Sequence, residues 1–375
     1  MVADYLWGIF CSHIITQPHI FCISRTCFTS ADLSHSNWNL YNLALQKAIN
    51  QAKLNKRSLS IWFIHDQKPG HIHQLKGLEE RIANYYEVNT SWVDAGENKL
   101  SWAGILLKIK VSISPSKAVS PDISPDIIIG AGHTTHKTLL FEAYMHNAYS
   151  VVLMKPSLPL CFFNAVICPK HDKLKESKRV LNTYGALNTV TPSSKTEPKT
   201  LSLMLIGGAS KHFKWHEQDL INQIQVICSK DNDQQWLLSD SPRTPSSFLP
   251  QLKKLNIQNL NCFHYQNSQF EPLNTLMQKC MATWVTPDSV SMMYESLTSG
   301  TPTYTFSMRP KNTNKPSRVA QSIQNLISKK NVVSFQSWQL NPDIKPNKLN
   351  LWEADRAAKW LLNQYFEKHP FKKVL

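Results

Sequence analysis

Several things that would settle the class of this chain at once are missing from it. None of its eight cysteines (11, 22, 27, 161, 168, 228, 262 and 280) stands at CxxC spacing. Buried free thiols in a reducing cytoplasm are the expected use of them. No uninterrupted apolar run approaches the roughly 20 residues that a spanning helix needs. A GxxxxGK[ST] loop is absent, which removes the P-loop nucleotide sites. Histidines occur as His71/His73 and His133/His136, but no Cys or Asp completes a set at ligand spacing. Neither a metal nor a bound cofactor is expected. Long lysine or arginine runs and RNA-recognition or helix-turn-helix signatures are missing too, so nucleic acid is not an expected partner. Acid is scarce: 26 Asp and Glu against 41 Lys and Arg leave a net charge of +15. A basic surface of that size attracts anions such as nucleotide diphosphates or anionic headgroups.

What is present is a long, regular alternation. With 375 residues, 42% hydrophobic and 18% charged, the chain is sized for two globular domains. Residues 1–57 read as an N-terminal extension, partly helical or poorly ordered. Its opening, 6–18, holds His13 and Pro18 without a positive leader and does not read as a signal peptide. Trp38, Tyr41, Leu45, Ile49 and Ala52 recur at helical spacing, flanked by Lys47, Lys53, Lys56 and Arg57. Such a helix either packs on the neighbouring domain or lies on an anionic membrane. From 58 to 190, apolar runs at 60–65, 125–130, 149–154 and 164–168, with a weaker one at 88–93, predict buried strands separated by helices at 75–86 and 135–146. Pro-rich stretches at 112–125 and 189–200 predict a surface loop and an interdomain linker. The rhythm then repeats over 200–348: strands at 201–206, 235–239, 259–264, 282–286 and 302–306, helices near 216–228, 245–255, 271–279 and 289–298. A last amphipathic helix, within 349–375, is expected to cross back onto the first lobe. The predicted class is α/β: two Rossmann-like lobes with parallel sheets and a cleft between them.

Candidate chemistry sits where strands run out. Ile61-Trp-Phe-Ile-His-Asp66-Gln-Lys68-Pro-Gly70-His71 places polar groups at the carboxyl edge of a core strand, where open parallel sheets bind ligands. Gly130-Ala-Gly132-His133 ends another first-lobe strand and suits an acceptor or a phosphate. In the second half, Gly207-Gly208 leads into Ser210 and Lys211 before a helix, the arrangement in which backbone N–H groups meet phosphate. Ser241-Pro-Arg243-Thr244 offers a guanidinium that can fork onto a diphosphate. Asp288-Ser289-Val-Ser291-Met-Met-Tyr-Glu295 puts hydroxyls at a helix start and a carboxylate farther along it, suited to phosphate and to ribose hydroxyls.

These strings resemble the mitochondrial-fission ELM-like family. Asp66-Gln-Lys-Pro-Gly-His71 with Gln74 and Gly77 is similar to its Asp-Gly-Lys-Pro-Gly-His…Gln…Gly signature. Ile129-Gly-Ala-Gly132, Pro169-Lys-His-Asp172, Leu205-Ile-Gly-Gly-Ala-Ser-Lys-His212 and Ser241-Pro-Arg-Thr-Pro245 match further motifs, and so does Asp288-Ser-Val-Ser-Met292 with Glu295. The likeness runs over about 58–365, with Gln67 where the family has Gly and Pro242 where it has Arg. The resemblance implies a GT-B-like fold and a nucleotide-sugar enzyme. A glycosyltransferase acting on a cell-envelope or lipid-linked acceptor is the leading expectation. A nucleotide-sugar epimerase or a membrane-associated scaffold are the alternatives. On that reading Gly207, Gly208, Ser210, Lys211, Ser241, Arg243, Thr244, Asp288, Ser289, Ser291 and Glu295 hold the nucleotide sugar. Asp66 or His71 acts as base, and Lys68, Gly70, Gly130, Gly132 and His133 orient acceptor or phosphate. The nucleotide sugar is a substrate rather than a cofactor. The expected setting is cytoplasmic, with peripheral contact on the inner face of the membrane.

Overall fold

The computed structural model describes residues 58–96, 124–193, 201–230, 232–267 and 271–369. The amphipathic stretch at 38–52 and most of the 112–125 loop lie outside the described residues. All the described residues belong to one unit, Arg57–Leu375.

The first sheet is built from β1 (Leu59–His65), β2 (Val88–Asp94), β3 (Ile127–Ala131), β4 (Tyr149–Leu153), β5 (Ala165–Pro169) and β6 (Val180–Thr183). Its order is β2-β1-β3-β4-β5-β6, all parallel. Central strands buried on both faces need predominantly apolar runs, and β1, β3, β4 and β5 have them, interrupted in β1 and β4 by the small Ser60 and Ser150. β2 lies at the edge, mostly exposed, which is why its apolar signal is weak. Helix α1 (Pro69–Ala83) follows β1 with proline at its first turn, where the missing N–H costs nothing. Helix α2 (His136–Met145) follows β3.

The second sheet comprises β7 (Leu201–Leu205), β8 (Gln235–Ser239), β9 (Leu260–Phe263), β10 (Cys280–Val285), β11 (Thr303–Thr305) and β12 (Val333–Ser334), in the order β12-β11-β10-β7-β8-β9 and again parallel. Its helices are α3 (Glu217–Lys230), α4 (Phe248–Lys253), α5 (Leu273–Lys279), α6 (Val290–Ser299), α7 (Arg318–Ser328) and α8 (Phe335–Leu340). Trp284 anchors the core, stacked on Tyr304 at 5.0 Å and edge-on to Trp338 at 5.3 Å. The last helix, α9 (Glu353–Lys368), packs on the first sheet. Ala354, Ala357 and Ala358 let it approach closely, while Leu361, Leu362, Tyr365 and Phe366 fill the space.

Four elements lie outside the expected series. β6 and β12 are edge strands of four and two residues, too short for periodicity to register. α8 is a six-residue piece. Helix α7 did carry a signal: Ser317 caps it by accepting from the Ala320 N–H at 3.2 Å, and Ala320, Ile323 and Leu326 recur on its buried face.

The topology fixes where ligands go. Strand order reverses between β1 and β3 in one sheet and between β7 and β10 in the other. At such a switch point neighbouring connections leave in opposite directions, and a crevice opens beyond the carboxyl ends. The residues after β1, β3, β7 and β10 therefore border the two crevices.

Candidate functional site

At the first crevice the loop after β1 meets the loop after β3. The Asp66 carboxylate accepts from Lys68 Nζ at 2.8 Å, from His71 Nδ1 at 2.7 Å and from Thr134 Oγ1 at 2.8 Å. Burial pushes this carboxyl up, but the three donors together outweigh it and hold it far below the usual carboxylate range. Such a group is a poor proton acceptor. Because an ionised carboxylate can only accept, Nδ1 of His71 carries the proton and Nε2 is the basic nitrogen. Of the two candidate bases, then, His71 is the one with a free basic nitrogen, and the Asp66 carboxylate holds its ring.

Gly132 makes the arrangement possible. Its φ is +90°, and a Cβ there would stand 2.5 Å from His71 Cε1 and 3.2 Å from Asp66 Oδ2. Two other glycines take no part in this contact. Gly130 is buried in β3, where its missing side chain makes room for Leu139 and Thr135. Gly70 has nothing near it. His133 is exposed at the start of the 3-10 turn His133–Thr135, while Lys68 is an exposed partner of Asp66.

Asp66 also sets an acid response. Its depressed carboxyl contributes stability that is complete above the ordinary aspartate value near pH 4 and is lost as pH falls further. Asp66→Asn is expected to remove that part of the acid transition. Thermal melts taken between about pH 5 and pH 2 would read it as a shallower slope.

The second crevice corrects part of the expected binding set. Gly207 and Gly208 do not offer free amides. The Gly207 N–H donates to Thr286 Oγ1 at 2.7 Å and the Gly208 N–H to Asp288 Oδ2 at 3.0 Å. The next amide, Ala209, donates to the Arg243 carbonyl at 3.2 Å. Ser241 Oγ donates to the Gly207 carbonyl at 2.7 Å, and so does Thr244 Oγ1. Ser241 and Thr244 thus staple the turn rather than face a ligand. Asp288, fully buried in its side chain, also holds Arg243 Nη1 at 2.7 Å and so positions that guanidinium. Ser210 Oγ accepts from the His212 and Phe213 amides at 3.2 and 3.1 Å.

What remains free is concentrated in one place. Ser289 is the N-cap of α6 and makes no side-chain cap hydrogen bond, so among the described residues no side chain at the cap position covers the orphan amides of that helix start. A cavity of about 460 Å³ opens on this start, lined by Ser289, Ser291, Lys211, His212 and Arg243. Burial, Lys211 and Arg243 push the His212 imidazole down, against the opposing pull of Asp288. Asp288 also lines the cavity, paired with Arg243, and Lys211 leaves its net charge positive at the positive end of a helix.

Glu295 is not part of that lining. One turn beyond Ser291 on the same face of α6, it reaches toward the other lobe, its Oε1 lying 3.3 Å from His73 Nε2 on α1. His73, two residues after the candidate base, is the site residue that its sequence context concealed. The two switch-point regions meet through this pair. Burial raises the Glu295 carboxyl and His73 opposes it. A raised acid binds its proton in the folded state up to a higher pH than in the unfolded one. Stability from it is complete below the ordinary glutamate range and declines as pH rises through the folded value. Glu295→Gln is therefore expected to raise stability above neutral pH by on the order of 1 kcal/mol, the scale of one ill-satisfied buried polar group, and with it the melting temperature. A fall in scanning calorimetry at pH 8 would refute it.

Among the described residues no three His, Cys, Asp or Glu side chains form a metal-ligand group, and no helix is long and apolar enough to cross a membrane. Burial pushes the Cys168 and Cys228 thiols up to about 12, which leaves them unreactive.

Two parallel α/β lobes, each with its crevice at a topological switch point, place this chain in the GT-B-like class. The chain belongs to the Mitochondrial fission ELM1 family, whose model matches residues 69–365. A curated relative, Uncharacterized protein RP120 of Rickettsia prowazekii (strain Madrid E), is 25% identical over 297 residues, 66% of this chain and 83% of the relative. Among solved structures, a UDP-GlcNAc 2-epimerase from Neisseria meningitidis bound to UDP-GlcNAc superposes with a TM-score of 0.53 at 12% identity. That match covers 82% of this chain and 100% of that one. At such identity the likeness is one of fold.

Proposed function

We propose that this chain is a glycosyltransferase that moves a sugar from a nucleoside-diphosphate sugar to a cell-envelope or lipid-linked acceptor without needing a metal. The single observation that carries the reading is the uncapped start of α6 ringed by Lys211, His212 and Arg243. In the reaction, His71 Nε2 takes the proton of the acceptor hydroxyl while Asp66 stabilises the imidazolium that forms. The acceptor oxygen bonds to the sugar's anomeric carbon, and the bond from that carbon to the diphosphate breaks. The departing diphosphate gathers charge where helix dipole and side-chain cations already wait, so no reorganisation is needed as it leaves. Glu295 takes the ribose hydroxyls once the donor displaces His73 from it.

An exposed apolar turn supports the lipid side of the reading. Leu160 and Phe162 are exposed on the 3-10 turn Leu160–Phe162 that follows β4, close in sequence to the exposed Lys155. Aromatic and aliphatic tips beside lysine suit the boundary of an anionic bilayer, and the net charge of +15 has the right sign. On this reading the chain associates peripherally with the cytoplasmic face of the membrane.

The test is thermal stabilisation by UDP-, GDP-, CMP- and ADP-sugars. At about 100 times Kd the matching donor adds roughly 2.7 kcal/mol of stability, a shift of several degrees. Arg243→Ala should weaken that donor by about 10- to 100-fold, the value of one charge-assisted contact. If no sugar nucleotide moves the melting temperature, the reading falls.

A further inference from the structure

The motif Pro169-Lys-His-Asp172 has no part in the chemistry above, yet it walls a second cavity. This space of about 320 Å³ lies between the 3-10 turn Lys170–Asp172, where β5 ends, and helix α7. Lys170, Lys173 and Tyr184 line it from the first lobe, Arg318 and Lys329 from the second, and it shares no lining residue with the cavity at α6. Charge in it is unbalanced. Asp172 Oδ1 lies 3.3 Å from Arg318 Nη1, and Lys170 Nζ sits 3.9 Å over the Tyr184 ring. Lys173 and Lys329 have no carboxylate partner among the described residues. His171 lines the same space with its Nδ1 buried and unpartnered, and burial, helped by Arg318 against Asp172, disfavours its ionisation. Lys173 is held in the left-handed region at φ 55°. Four exposed cations from two lobes, set against the single carboxylate of Asp172, converge on a space at the lower end of small-molecule sites, and the excess positive charge favours an anion there.

We infer that this cavity is a second anion site, taking a small phosphate- or diphosphate-bearing molecule that bridges the two lobes. Three or more charge-assisted contacts reach the phosphate oxygens, and the His171 ring supplies a neutral hydrogen bond. The inference is independent of the glycosyltransferase reading.

Calorimetric titration of the full chain with inorganic pyrophosphate tests it. The double variant Lys173→Ala/Lys329→Ala should lose one binding event or weaken it by about 10- to 100-fold, the value of one or two charged contacts. Its stabilisation by sugar nucleotides should be unchanged. Arg243→Ala should leave that same event intact. Both lysines are exposed, so the variant folds. Unchanged pyrophosphate stoichiometry and affinity in the double variant would overturn the inference. So would a variant that loses only its adhesion to phosphatidylglycerol vesicles, since that marks a membrane-facing surface and not a small-molecule site.

Discussion

A His71→Ala chain is expected to bind its sugar nucleotide as the wild type does and to transfer the sugar about 10²- to 10⁴-fold more slowly. The split follows from where the side chain sits. His71 belongs to the first-lobe crevice, held by Asp66 at 2.7 Å, whereas the cationic cavity is lined entirely by second-lobe residues. Kd for the donor should therefore hold while kcat collapses. Asp66→Asn should give a loss of similar order, because an amide in its place no longer fixes the Nδ1-protonated tautomer that leaves Nε2 basic. Gly132→Ala acts from outside the chemistry. Its Cβ enters the space of the His71 ring, so it should mimic His71→Ala in turnover and also lower stability by about 1–2 kcal/mol through the left-handed backbone. Steady-state kinetics on the three variants, with donor binding measured separately, decides the matter. A His71→Ala chain with full turnover would leave the first crevice without a catalytic role.

Gly208→Ala should be among the most damaging single changes in the second lobe, costing about 3 kcal/mol or more. The added Cβ would stand 1.9 Å from the Arg243 carbonyl oxygen and 2.6 Å from the Thr244 nitrogen. Both are backbone atoms in a stapled turn, and no side chain can swing aside. Gly70→Ala provides the contrast. It is helical and has open space around it, so alanine should stabilise by about 0.5–1 kcal/mol. Urea midpoints of the two variants should move in opposite directions. A Gly208→Ala midpoint within error of the wild type would mean that the junction of β7, β8 and β10 is looser than drawn.

The sheets were legible because parallel strands covered on both faces must be predominantly apolar, and Ile127-Ile-Ile or Leu203-Met-Leu-Ile cannot be solvated loops. The carboxyl-edge motifs were legible for a related reason, since polar residues directly after such strands have few other uses. Roles within those motifs were less so. The Gly207-Gly208 pair reads from sequence as a phosphate cradle, yet its amides are consumed by Thr286 and Asp288, some 80 residues away. Ser241, Thr244 and Asp288 look like ligand contacts only while their partners are unknown. His73 was invisible as a site residue because its meaning comes from Glu295, on the opposite lobe. Gln67 shows the converse. It stands where the family has Gly, and its φ of 60° explains the preference. Here its amide donates to Asp94, which ties down the strained position.

Helix α9 has a consequence for how this protein is made. The first lobe's core is closed by residues 353–368, whereas the second lobe's strands are contiguous in the chain. During vectorial synthesis the later-translated lobe can therefore complete its interior first, and the earlier one must wait, with an apolar face uncovered, until residues 353–368 have been made. Nascent chains stalled before Glu353 should consequently be ready clients for chaperones.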